Sequence, residues 1–221
     1  AQYYDGERTS RAGKCHLLAV GRHVEKKGFR YLVEACSLLK SRGFSFHCRI
    51  IGDGPDVRKC RHQIESARLM EEVTLCPFMS HQELFCEYHA ADILVVPSIV
   101  THDGDRDGVP NVVLEAMASE VPVICSDAGS LCEAVQNDIT GIVIAQRNAA
   151  ALACAITKLW NDKELQTMFV QAARHQVLVK YGSEKWLSIL QKMLLEEFQK
   201  DHKKGKGRYR CWYHKRLKGG M

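Results

Sequence analysis

What this sequence lacks narrows the field before anything it contains. It carries ten cysteines in 221 residues, yet no two stand in a C-x-x-C arrangement. Zinc ribbons and dithiol redox sites need that spacing, so neither is indicated. Cys36, Cys48, Cys60, Cys76, Cys86, Cys125, Cys132 and Cys154 fall inside apparent helices or strands. Small buried thiols in a reducing compartment account for them. No apolar run approaches the ~18 residues that a membrane-spanning helix needs. The opening Ala1-Gln2-Tyr3-Tyr4-Asp5-Gly6 has neither the charged start nor the apolar stretch of a signal peptide. Without Met at position 1, the chain reads as a piece of a longer protein. A G-x-G-x-x-G turn and a G-x-x-x-x-G-K-[ST] loop are both missing, so ordinary dinucleotide and P-loop readings fail at their diagnostic position.

The body of the chain also lacks positive charge. The net charge is +5, but Lys200 to Lys218 holds nine Lys or Arg against Asp201, a local +8 that leaves −3 for the rest. A basic folded surface is therefore absent, and a nucleic-acid partner has no support. Residues 200–221 read as a solvated, disordered tail in preference to a contact with anionic lipid. The resulting location is cytoplasmic, with peripheral attachment to the inner membrane face through the tail as the alternative.

What is present is a regular alternation. A hydrophobic content of 46% in a chain of this length buries a real core. Short apolar runs at His16–Val20, Phe46–Ile51, Val73–Cys76, Ile93–Val96, Val121–Cys125 and Gly141–Ala145 read as strands. Helical spacing fills the intervals, including Tyr31–Leu39, Val57–Leu69 and a helix to Ala91 opened by a Ser80/Glu83 capping box. After Arg147 only helices follow, over Ala149–Asn161, Lys163–Tyr181 and Glu184–Phe198. Strands this short and apolar, each followed by a helix, predict an α/β fold: a doubly wound parallel sheet of about six strands closed by C-terminal helices. The expected organisation is a linker remnant at 1–14, one domain at 15–199 and the tail at 200–221. Ligands of such sheets bind beyond the carboxyl ends of the strands, which directs attention to the loops after Val20, Ile51, Cys76, Val96 and Cys125.

Two of these loops carry chemistry. The first runs Gly21-Arg22-His23-Val24-Glu25-Lys26-Lys27-Gly28. Arg22 and Lys26 or Lys27, at a strand end and a helix start, suit a diphosphate: Arg grips oxygens bidentately, Lys adds a point charge and helix amides add donors. The other follows the fourth strand and ends in Asp107-Gly108-Val109-Pro110-Asn111-Val112-Val113-Leu114-Glu115. Pro110 fits the first turn of a helix. Gly108 allows close approach of backbone to a ligand. The amides of Val109, Asn111 and Val112 point at an anion, and Asp107 and Glu115 line a pocket where paired carboxylates accept from sugar hydroxyls. A rival reading is calcium, because Asp103, Asp105, Asp107 and Gly108 match the opening of an EF-hand loop. It fails at the twelfth position, which is Leu114 rather than Glu.

Taken in order, G-R-H-V-E-K-K-G, I-G-D-G-P, V-T-L-C-P-F-M-S-H-Q-E-L, A-D-I-L-V-V-P-S, D-G-V-P-N-V-V-L-E-A-M-A, P-V-I-C-S-D-A-G and T-G-I-V-I resemble the C-terminal domain of the fourth family of retaining glycosyltransferases, the group-one transferases. The match runs from about Leu17 to Phe198. The resemblance implies a GT-B enzyme with two facing Rossmann-like domains, of which this is the donor-binding half. It implies a nucleotide-diphosphate sugar as donor, no metal, no further cofactor and retention at the anomeric carbon. Gly21, Arg22 and Lys27 would meet the diphosphate, and Arg22, Lys27 and the amides of the Pro110 helix would stabilise its growing charge. The family's Glu-x7-Glu pair falls on Asp107 and Glu115: the first acid binds donor-sugar hydroxyls, the second the ribose. Asp in the first place shortens that reach by one methylene. The backbone of Phe78 and Met79 would meet the nucleobase, beside Pro77 where the family usually has Gly. Asp107, Arg22 and Lys27 are thus the candidate catalytic residues, with Gly108, Val109, Pro110, Asn111, Val112 and Glu115 completing the donor site.

By the same resemblance a hexosyl unit passes to a glycan or lipid-linked acceptor held on an N-terminal domain, in cis or as a separate chain. Leu187, Leu190, Leu194 and Leu195 would leave an apolar helix face for that domain. The alternative is a non-catalytic nucleotide-sugar-binding or assembly module; a nucleotide-sugar epimerase is a weaker third. His23, His102, His202 and His214 read as surface residues, Asp92 and Ser98 as structural, and Glu133 has no assigned role.

Overall fold

A computed structural model describes residues 13–181. Helix Glu184–Phe198, its leucine face, the basic tail, His202 and His214 lie outside the described residues. The chain divides into two compact units, Ala1–Val177 and Leu178–Met221, and the sheet and the candidate site belong to the first.

Six parallel strands form one sheet in the order β3-β2-β1-β4-β5-β6. They are β1 (Cys15–Val20), β2 (Phe46–Ile51), β3 (Val73–Cys76), β4 (Ile93–Val96), β5 (Val123–Ser126) and β6 (Ile142–Ile144). Between and after them run α1 (Phe29–Ser41), α2 (Val57–Ser66), α3 (His81–Ala90), α4 (Asn111–Ala118), α5 (Leu131–Ala134), α6 (Ala149–Asn161) and α7 (Lys163–Gln176). The predicted fold class stands. The helix predicted over Lys163–Tyr181 is α-helical only to Gln176, and Val177–Tyr181 is a π-helical stretch.

Alternation of side chains along each strand builds a core on both faces. Cys15, Leu17, Ala19, Cys48, Ile50, Ile93, Val95 and Ile124 join the buried residues of α1, α2 and α6. Leu18, Ile51, Leu94, Val96, Val123 and Cys125 join those of α3, α4 and α5 on the other face. Helix α7 serves both, with Phe169 in the first cluster and Ala173 in the second. Double-sided burial explains why these strands read as continuous apolar runs.

The cysteines divide differently from the expectation. Cys15, Cys36, Cys48, Cys60, Cys76 and Cys125 are buried free thiols, but Cys86, Cys132 and Cys154 are exposed. Each of these three sits on a helix, outside the buried core. Burial raises the thiol of Cys60 to about 11, which keeps it protonated and inert.

Strand order places the functional loops. The chain winds outward from β1 to β2 and β3, and in the opposite sense from β4 to β5 and β6. The segments leaving β1 and β4 therefore diverge across a switch point, where doubly wound sheets bind ligands. Val20 pairs with Ile51 and Leu18 with Leu94, so these strand ends lie side by side.

Candidate donor site

The loops after β1 and β4 are joined by backbone before any side chain acts. Ile99 N donates to Lys26 O at 2.8 Å. Gly28 adopts φ +63°, and a Cβ there would lie 1.9 Å from Pro97 O, so no other residue fits without moving one loop. Two ion pairs then span the same junction. Lys27 Nζ lies 2.9 Å from Asp107 Oδ2, with both side chains largely buried, and Lys26 Nζ lies 3.0 Å from the exposed Asp105 Oδ1. Ser98 Oγ donates to Asp107 Oδ2 at 2.8 Å. Ser98 is itself fixed, because the buried Ser126 hydroxyl donates to its carbonyl. A chain of bonds thus runs from β5 through Ser98 to Asp107. Ser98 is structural, as expected, but what it supports is a candidate site residue.

Gly21 makes room for the stem of Lys27: a Cβ on Gly21 would come 3.2 Å from Lys27 Cε. Arg22 is exposed on the same loop. Of the two lysines that composition left open, Lys27 is the one directed at Asp107, and Lys26 is committed to Asp105. The Asp105 hydrogen bond raises the Lys26 ammonium above its ordinary range.

Helix α4 starts one residue later than expected, with Pro110 as its N-cap at φ −71°, ψ 132°. Its first capping bond is Val113 N to Pro110 O at 3.0 Å. The amides of Asn111 and Val112 precede the first intrahelical donor, Val113 N, and stay available to an anion. Gly108 and Asn111 are exposed; Val109, Pro110 and Val112 are half-buried. Val113, Ala116 and Met117 anchor the helix in the core. Asp107 and Glu115 have separate partners. Tyr88 OH donates to Glu115 Oε2 at 2.8 Å, and His81 Nδ1 stands 3.9 Å from Oε1. Burial and the Glu115 carboxylate push the Tyr88 phenol far above its ordinary range, so it remains a donor. Sequence reasoning missed Tyr88, which appears as one more residue of an amphipathic helix. The available signal was a hydroxyl on an otherwise buried position.

Beyond β3, Phe78 N donates to Asp53 Oδ2 at 3.0 Å while its ring is 76% exposed. Met79 packs against the second core cluster. The Phe78 amide is therefore already used, and its ring is the part left to face a ligand.

Two histidine expectations separate. His102 is exposed as expected, but His23 is 1% exposed. The turn after β1 folds it inward onto Phe29, with ring centroids 4.9 Å apart. Asp92 is structural as expected, Oδ2 accepting from His16 N at 2.8 Å. Glu133 is exposed in the first turn of α5.

The calcium reading meets a built-in obstacle. Asp105 and Asp107 are each paired with a lysine, and Asp103 Oδ1 is taken by Thr101 Oγ1 and Asp105 N. Two resident cations occupy the carboxylates that a metal would need. A groove of about 380 Å³ elsewhere, lined by His16, His47, Arg49, Cys86 and Glu87, lies under α3 and away from the switch point. Its Arg49 and Glu87 already bind each other bidentately at 2.8 Å.

A doubly wound sheet with a cation–carboxylate centre and a free helix N-terminus at its switch point defines a Rossmann-like ligand-binding domain. The chain belongs to the group 1 glycosyl transferases, whose family profile matches residues 5–176. It is 36% identical over 164 residues to WcaL of Escherichia coli K12, named as a colanic acid biosynthesis glycosyltransferase, covering 73% of this chain and 40% of WcaL. It is 32% identical over 166 residues to the amylovoran biosynthesis glycosyltransferase AmsK of Erwinia amylovora, covering 75% of this chain and 41% of AmsK. The solved C-terminal domain of the group 1 glycosyl transferase LpcC of Francisella tularensis superposes with a TM-score of 0.67 at 25% identity, over 77% of this chain and 88% of that one. The chain thus spans about 40% of the length of these curated relatives. Its sheet is one Rossmann-like half of the GT-B architecture.

Proposed function

We propose that this chain is the donor-binding half of a retaining glycosyltransferase that uses a nucleotide-diphosphate sugar without a metal. The observation that carries the reading is the Lys27–Asp107–Ser98 centre beside the N-terminus of α4. Departure of a nucleoside diphosphate builds negative charge on the phosphate. Arg22, Lys27 and the Asn111 and Val112 amides offer fixed positive potential to meet it. Asp107 would accept from hydroxyls of the donor sugar. Glu115, held by Tyr88, would accept from the ribose, with the exposed Phe78 ring beside the base. Two relatives named for colanic acid and amylovoran biosynthesis support a carbohydrate acceptor. A glycan or lipid-linked acceptor would sit on an N-terminal domain that supplies the rest of the active site.

Thermal unfolding with UDP, GDP and ADP, each with and without EDTA, tests this reading. One nucleotide at ~100 times its dissociation constant adds about 2.7 kcal/mol, a rise of several degrees for a domain of this size. The gain survives EDTA and vanishes in Arg22→Ala or Glu115→Ala. No shift with any of the three nucleotides would sink the donor assignment, and a shift that needs a divalent cation would sink metal independence.

A further inference from the structure

His23 stands in the donor loop between Arg22 and Lys27, yet its Nε2 is buried without a hydrogen-bond partner. Buried polar atoms are nearly always paired, so an orphan at this place calls for a reason. The main chain around it is pinned on both sides. His23 N donates to Asp53 O at 2.9 Å, and His23 O accepts from Asp56 N at 3.0 Å. Gly54, at φ +156°, presses on the same residue: a Cβ there would lie 2.4 Å from His23 O and 2.7 Å from His23 N. Asp53 in turn holds the Phe78 amide through Oδ2. Asp53 therefore ties together the loops after β1, β2 and β3, with His23 as its main-chain partner.

The His23 ring makes none of these bonds, and its charge would reach the junction through Asp53. Helix α1 presents the Phe29 ring, and the β2–α2 loop presents Asp53 and Asp56. Desolvation holds the imidazole below its ordinary range, with the two carboxylates opposing it. A proton added here creates a buried cation that needs a carboxylate. Turning Asp53 toward the ring takes it from the Phe78 amide and unties the loop after β3.

We propose that His23 is a positioning residue of the donor site, holding these three loops in register only as a neutral imidazole, so that acidification loosens the site from within. The ligand side of this proposal rests on the donor reading above; the loop side does not.

The test compares the full chain with its His23→Gln variant, which keeps a polar but non-titrating side chain. Affinity for the stabilising nucleoside diphosphate is followed by calorimetry from pH 8 to pH 5.5. Protonation of the diphosphate itself weakens both proteins alike and cancels in their ratio. The wild type is expected to lose several-fold more affinity than the variant, up to the about tenfold limit of an imidazole titrating at its ordinary 6.5. Ligand-free unfolding midpoints give an independent readout. Below about pH 6.5 the unfolded chain takes up the proton that the folded one resists, so the wild type loses stability faster than the variant. If no nucleotide binds at any pH, the donor reading fails while the midpoints still decide the role of His23. Superimposable midpoints, or an imidazole seen by NMR to titrate at its ordinary value, would overturn the proposal. The NMR titration uses the wild type alone and decides the matter even if the variant does not fold.

Discussion

Lys27 Nζ and Asp107 Oδ2 stand 2.9 Å apart although their positions differ by 80 along the chain, and Ser98 Oγ closes on the same carboxylate oxygen. The proposed diphosphate grip and the proposed sugar acceptor are therefore each other's partners. A diphosphate entering the site must share Lys27 with Asp107. The carboxylate orients the ammonium and also opposes the anion that the ammonium is there to bind.

This arrangement gives a signed prediction. Asp107→Asn keeps the shape and removes the opposing charge, so a free nucleoside diphosphate binds more tightly, by about 1 kcal/mol or roughly fivefold. Lys27→Met removes a charge-assisted bond and weakens the same ligand by about 1.5–3 kcal/mol. Calorimetry on the two variants checks both signs. Parallel losses in both would show that Asp107 acts chiefly by holding Lys27 in place.

Glu115 calls for a different pair of variants. Its carboxylate is oriented by Tyr88, which is 2% exposed, so the hydroxyl has little alternative to this bond. Tyr88→Phe is expected to lower stability by about 1 kcal/mol, the net value of one hydrogen bond, and to weaken the nucleotide only a few-fold. Glu115→Gln should cost the larger affinity loss, about 1.5–3 kcal/mol, because it removes the charged acceptor itself. Equal losses in the two variants would mean that Glu115 serves the fold rather than the ligand.

The contrast between what the chain disclosed and what it withheld follows from the range of the interactions involved. Strand and helix order came from periodicity, and the Ser80/Glu83 capping box from a spacing of three residues, both local signals. Alternation pointed to the loops beyond the carboxyl ends of five strands, and the strand order then singled out those after β1 and β4. Side-chain pairings across long separations left no comparable mark. Nothing local distinguishes Lys27 from Lys26; the choice is made by the path of the loop after β4, 80 residues on. Tyr88 was invisible for the same reason, since its partner lies 27 residues away. His23 misled because an isolated histidine in a loop rich in charge reads as surface, whereas the Gly54 turn and Phe29 enclose it. Cys86, Cys132 and Cys154 misled because membership of a helix does not specify a face.

Two glycines of the site should respond in opposite ways. Gly28 has backbone 1.9 Å from the position of an added Cβ, so Gly28→Ala must displace Pro97 or the loop after β1. A loss of about 3 kcal/mol or more is expected, because neither loop can yield without breaking its hydrogen bonds. Gly108 meets nothing within 4 Å. Gly108→Ala should therefore fold within about 0.5 kcal/mol of the wild type, and any effect will appear as weaker nucleotide binding. Urea unfolding and calorimetry separate the two. A Gly108→Ala protein with unchanged affinity would remove Gly108 from the donor site.

Calcium supplies the remaining prediction. Asp103, Asp105 and Asp107 have the spacing of a calcium loop, but Asp105 and Asp107 are bound to Lys26 and Lys27. A divalent cation entering here would have to displace two ammonium groups. The loop geometry also supplies no carboxylate at the twelfth position, where Leu114 stands. Millimolar calcium should therefore leave the unfolding midpoint unchanged in the wild type, with or without nucleotide. The double variant Lys26→Ala, Lys27→Ala makes the argument stricter. It frees both carboxylates while leaving Leu114 in place, so a calcium shift confined to that variant would identify the lysines as what keeps the metal out. A calcium shift already present in the wild type would mean that the ion pairs are exchangeable and that the loop is a metal site after all.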